Sequence, residues 1–162
     1  MGQADIVTKE YMREPHVFAD AFNFLLYDGR QVIKPSELKE LDTAEMMYIF
    51  GGGNPKRGTG VQKYRDILKY VTVMSGAKAA YILLGVENQT DIHYAMPVKN
   101  MVYDAMQYAE QVSRIASDHR NNSNKGTMSS AEFLSGFTRE DSLQPVITLV
   151  VHFGADPWDG PT

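Results

Sequence analysis

Two acids, Asp66 and Glu87, with the amide Gln89, are the side chains of this sequence whose types and spacing could act together chemically. Residues 61–74, "VQKYRDILKYVTVM", are rich in β-branched and aromatic residues, and Ser75-Gly76-Ala77-Lys78 is a turn signal. Residues 79–89, "AAYILLGVENQ", read as the returning strand of a hairpin. Pairing Ser75 with Lys78 sets Asp66 directly across from Glu87, and strand alternation puts Gln89 on the face of Glu87. Facing Cβ atoms lie about 4.5–5.5 Å apart, so two carboxylates there repel unless a cation sits between them. The spacing therefore predicts both carboxylates on one face and within about 7 Å, where Mg²⁺ would find hard oxygen ligands. The bland reading stands beside it: Asp66, next to Arg65, is a solvated strand-end charge, and Glu87 marks where a strand leaves the core.

Around this hairpin the chain reads as a small α/β domain with a mixed central sheet and flanking helices. Val17, Phe18, Ala21, Phe22 and Leu25 recur at helical spacing between Pro15 and Tyr27, and Asp28-Gly29 stops the helix. Residues 36–40 are a short helical segment or an ordered loop. A second helix runs from Pro97 to about His119, its predicted apolar face carrying Met101, Val102, Ala105, Met106, Ala109, Val112 and Ile115. Residues 121–130, "NNSNKGTMSS", read as a polar loop. "PVITLVVHF", residues 145–153, has no polar alternation and predicts a strand beside the hairpin, covered by helices on both faces. Residues 51–60, "GGGNPKRGTG", separate Gly53 and Gly58 as a phosphate loop does, but Thr59 stands where such a loop has Lys and a strand follows. A flexible Gly-rich loop is the reading for this stretch.

Composition narrows the function classes. One domain of 162 residues is long enough to bury a core, and no segment has the apolar length of a membrane span. The absence of cysteine excludes disulfides and thiolate metal sites and fits a reducing, cytoplasmic setting. A net charge of −4 gives no broad basic footprint for nucleic acid, so any DNA contact must rest on local cations. His16, His93, His119 and His152 have no metal-ligand spacing and read as structural or solvated.

The stretch "YRDILKYVTVM…AAYILLGVENQTDIHYAMPVKNMVYDAMQY", with "HVFADAFNFLLYDG" before it and "PVITLVVHFGADPWDGP" after it, resembles the PD-(D/E)XK nuclease superfamily. Within that superfamily it is most similar to the Rpn group of recombination-promoting nucleases and transposases. The resemblance implies a restriction-endonuclease-like core and Mg²⁺-dependent, or Mn²⁺-dependent, hydrolysis of DNA phosphodiesters. Carried over position by position, Asp66 is the acid of the first motif strand and Glu87 the acid of the Glu-x-Lys signature, with Gln89 in the lysine's place. The main-chain metal contact falls on the carbonyl of Asn88, and the first-helix acid falls on Asp20. Lys99, Asn100 and Tyr103 start the following helix and are the expected DNA-phosphate contacts. Gln89 can orient water but cannot supply the lysine's charge, which keeps a second class open: a catalytically degenerate module binding DNA or a protein. The group continues past the Trp-Asp-Gly-Pro stretch, so the resemblance implies a C-terminally shortened chain, with Trp158 partly exposed or buried only by the first helix and the loop before the hairpin, and a tendency to associate, a homodimer being one form.

Overall fold

The computed structural model describes residues 3–41, 67–75, 78–121 and 128–160. Within them, helix α1 (Gln3–Arg13) and helix α2 (Pro15–Tyr27) precede a 3-10 turn (Pro35–Glu37) and a two-residue strand β1 (Lys39–Glu40). Strands β2 (Ile67–Ser75) and β3 (Lys78–Gln89) follow, then the long helix α3 (Met96–Asn121), the short α4 (Ser130–Ser135) and strand β4 (Val146–His152). The sheet has the order β1-β2-β3-β4; β3 is antiparallel to β2 and parallel to β4, so the sheet is mixed. The α/β class, the mixed sheet and the flanking helices are thus as the sequence implies.

Alternation divides the sheet into two faces. Ile67, Val71 and Val73 of β2 and Leu84 and Val86 of β3 are buried with Met12 of α1 and Phe18, Ala19 and Phe22 of α2. Leu68 faces the other way and is buried with Tyr103 of α3. Pro15 opens α2 at a position where its missing N–H costs nothing, and Asp28, in the left-handed region at φ 53°, ends it. Leu25, assigned to the apolar face from spacing, is 55% exposed, because Asn23 takes the buried position beside Phe22.

One buried cation belongs to this first face. Lys69 alternates with Ile67 and Val71, its ammonium lies 4.9 Å from the centre of the Phe18 ring, and it donates to the carbonyl of Arg13 at the end of α1. Burial pushes its pKa below the ordinary lysine value, against the opposing pull of Glu40 and Glu14. A cation on the last carbonyl of a helix also complements the helix dipole.

Three expectations are corrected here. The strand over 146–153 is found, beside β3, but it is an edge strand among the described residues and every one of its residues is only half-buried. Its apolar run is explained by contacts on both faces, with Ile147, Leu149 and Val151 on the α1–α2 side and Val146 on the α3 side. Second, α3 is rotated from the predicted face: Met101 and Val102 are exposed, while Met96, Tyr103, Gln107, Gln111 and Ala116 are buried. Polar side chains set that rotation. Thr148 Oγ1 donates to Asp104 Oδ1 at 2.6 Å, Val146 N donates to the Tyr108 hydroxyl at 3.1 Å, and Gln111 exchanges hydrogen bonds with the backbone of Gln144. Third, α1 and α4 were not foreseen; α4 begins within the stretch read as a polar loop, capped by Ser129 and Glu132 in a reciprocal box. The Gly-rich segment 51–60 and residues 122–127 lie outside the described residues.

Asp141 fastens the chain between α4 and β4 to α3. Its carboxylate accepts from the backbone N–H and hydroxyl of Thr138 and pairs with His119 Nε2 at 3.3 Å. Desolvation pushes this carboxyl up, but the Thr138 hydrogen bonds and the His119 charge outweigh it and hold the pKa below the ordinary aspartate value. A depressed folded-state pKa contributes stability above the unfolded value, lost as pH falls through the folded one. Asp141→Asn should therefore melt below wild type above about pH 5, with the gap closing below about pH 3. Melting curves across that range check it, and a gap independent of pH would contradict it.

Candidate functional site

Strand pairing settles the register that the site depends on. Ser75 pairs with Lys78, and the same register runs without a bulge to Ile67 opposite Val86. Asp66 lies outside the described residues, so the facing of Asp66 and Glu87 is an expectation carried by this register up to its last described pair.

Glu87 stands near the C-terminal end of β3, on the face that packs against α3, and is 1% exposed. A carboxylate this deep needs a partner, since an ionised group loses most of its hydration on burial. Lys99, on the first turn of α3, provides one: its Nζ is 2.8 Å from Glu87 Oε2. The same ammonium is 5.8 Å from the Tyr103 ring centre and retains 27% of its side-chain exposure. Glu87 thus reaches a cation that opens to solvent on its far side.

The other sequence-derived residues are distributed around this pair. Gln89, the last residue of β3, shares the face of Glu87 and pairs with His152, and its carbonyl accepts from Phe153 N at 2.8 Å. Asn88 alternates to the opposite face and is buried. Asn100 is half-buried beside Lys99, and its Oδ1 is buried with no hydrogen-bond partner among the described residues. Tyr103 is buried against Leu68, so its ring is part of the packing under Lys99. Asp20 is not brought to the site: it is exposed on α2, which covers the opposite face of the sheet, and it accepts from Gln31 Nε2 at 3.4 Å.

His152, read from the sequence as structural or solvated, ends β4 beside Gln89. Its Nε2 is 2.8 Å from the carbonyl of Asp156, and its ring lies 5.4 Å from that of Trp158. Trp158 is half-buried, as expected, but against His152. The signal was there to read: His152 ends an apolar strand run just as Glu87 does, and parallel pairing of two such strands puts their polar ends together.

Mg²⁺, which the family resemblance implies, was tested against these side chains. Glu87 offers a buried carboxylate at a sheet end, where a hard cation fits, but one of its oxygens already meets an ammonium. Among the described residues no three His, Asp or Glu side chains cluster closely enough to hold a metal by themselves, so a full set needs Asp66 or main-chain oxygen. Among the described residues, no helix is long and apolar enough to cross a membrane. No protein-family model matches this chain, and neither the curated proteins nor the solved structures contain a match.

Proposed function

We propose that this chain is a metal-dependent DNA endonuclease of the PD-(D/E)XK type, related to recombination-promoting nucleases, with Glu87 at its centre. The observation that carries the reading is the buried Glu87 carboxylate at the end of β3 with the Lys99 ammonium at 2.8 Å. The family signature asks for an acid and a lysine two positions on; here the strand supplies Gln89, and the neighbouring helix brings a lysine to the acid instead. Glu87, the carbonyl of Asn88 and Asp66 would hold Mg²⁺ or Mn²⁺. When bound, that ion supplies Lewis-acid stabilisation of a phosphate oxygen and an acidified water. Lys99 places positive charge where the pentacoordinate phosphate gathers negative charge, and Gln89 orients the attacking water by its amide. The ends of β3 and β4 and the start of α3 form the rim at which a DNA backbone would lie, since ligands of α/β sheets gather beyond the carboxyl ends of parallel strands.

A second reading has its own support. The Lys99–Glu87 pair already balances the buried carboxylate, which suits a degenerate module that binds DNA or a protein without cutting. Nicking of supercoiled DNA separates the two. With Mg²⁺ or Mn²⁺ the wild type should convert supercoiled circles to nicked ones, and chelator or Glu87→Gln should abolish the conversion. Absence of nicking in the wild type, with DNA still retarded in a gel, would establish the module instead.

A further inference from the structure

Within this metal-site reading, on which the inference rests, we propose that His152 is a further ligand, offering the lone pair of Nδ1. Three observations carry it. First, the contact selects the tautomer: the carbonyl of Asp156 can only accept, so Nε2 is the donor, and in the neutral ring Nδ1 is then a bare acceptor. Fixing one ring nitrogen on a carbonyl is how proteins orient a ligating imidazole. Second, Nδ1 is buried and has no hydrogen-bond partner among the described residues. A lone pair in that state costs free energy unless something else meets it.

Third, the surroundings are built to hold this ring. A side chain at Gly154 would collide with the His152 ring, 2.7 Å from Nε2, and with the carbonyl of Thr90, so the chain after β4 folds tightly over the imidazole. Gly160 in turn lies so close to Trp158 that a Cβ would stand 2.6 Å from its ring. The Tyr94 hydroxyl donates to Asp159 at 3.1 Å, joining this tail to the turn before α3. That is considerable close packing around one histidine at a strand end.

The register puts His152 beside the acid. His152 pairs with Gln89 and Val150 with Glu87, so the imidazole belongs to the same face as the carboxylate, one strand-step beyond it. Along α3, Tyr108 meets Val146 and Asp104 meets Thr148. Four helix residues advance about as far as two strand residues, so the same step sets Asn100 level with Val150. A second buried acceptor without a described partner, Asn100 Oδ1, therefore belongs to the level of the Glu87 and Val150 pair, with His152 the next residue on that face of β4. Carboxylate, amide oxygen and imidazole nitrogen together favour Mn²⁺ over Mg²⁺, because imidazole is a poor ligand for the harder ion.

The test uses Mn²⁺ alone, followed by loss of the free-ion EPR signal, with Mg²⁺ as competitor and no DNA. His152→Phe keeps a ring against Trp158 and removes both nitrogens; it should weaken Mn²⁺ binding at least about tenfold and lower the preference for Mn²⁺ over Mg²⁺. His152→Asn puts an amide near the position of Nδ1; it should recover part of the affinity but not the preference, and it answers the question should the Phe variant fail to fold. Glu87→Gln should lose Mn²⁺ binding altogether. Wild-type affinity in His152→Phe, with binding lost in Glu87→Gln, removes His152 from the site and leaves the metal reading standing. No Mn²⁺ binding by the wild type overturns both.

Discussion

Lys99→Met should lower stability by about 3 kcal/mol, or roughly 6–12 °C in melting temperature for a chain of this size. The substitution keeps the apolar stem of the side chain over Tyr103 and removes only the ammonium that meets Glu87. What remains is a carboxylate that is 1% exposed and has lost its cation. Removing one partner of a buried pair is costly because the other charge stays desolvated; the outward exposure of Lys99 keeps the effect at the lower end of the range. Glu87→Gln should cost less, since a partly exposed lysine can turn to water. The double variant should recover most of the loss, giving a positive coupling in a thermodynamic cycle. Melting of Lys99→Met within about 1 °C of wild type would show that the pair contributes nothing to the fold.

Asn23→Leu should be almost as damaging, at about 3 kcal/mol, although no chemistry depends on it. Asn23 is fully buried in α2, and its side chain is the hydrogen-bond partner of a whole loop. Oδ1 accepts from Ile33 N at 2.8 Å and Val32 N at 3.1 Å, while Nδ2 donates to the Ile33 carbonyl at 2.9 Å. Val32 N keeps a second acceptor in Arg30, but both backbone groups of Ile33 would be left buried and unpaired, each worth about 1–3 kcal/mol. Asp20, one turn earlier and exposed, is the internal control: Asp20→Ala should lie within about 0.5 kcal/mol of wild type. Urea melts of the three proteins decide it, and equal midpoints for Asn23→Leu and Asp20→Ala would refute the argument.

These two residues also mark what could be read from the sequence. The hairpin register, the span of α2 and the place of α3 and β4 followed from turn residues, proline positions and apolar periodicity, which act locally. Asn23 did not, because a buried amide looks in sequence like one more polar helix residue; only the chain reversal at Gly29 reveals what it bonds. The rotation of α3 was missed for a related reason. Apolar spacing placed Met101 and Val102 inward, whereas Lys99, Asp104, Tyr108 and Gln111 each found a partner on or beside β3 and β4 and turned the helix toward themselves. Of the candidate site, Glu87, Gln89 and Lys99 were legible from the motif and its neighbour. Asp20 was misplaced because sequence proximity to a motif says nothing about which side of a sheet a helix covers.

The parallel pairing of β3 with β4 also has a consequence for the nascent chain. A parallel partner cannot follow through a tight turn, so β4 reaches β3 only after the whole of α3 and α4 has been made. Lys99 follows Glu87 by only 12 residues, so the acid and its ammonium are both made before α3 is complete. His152 arrives last, and with it the tail that wraps its ring. While α4 and β4 are still being made, the chain therefore already holds the lysine that meets this acid. Docking of the final strand, a slow step where contacts are this far apart in sequence, is what brings His152 alongside Gln89.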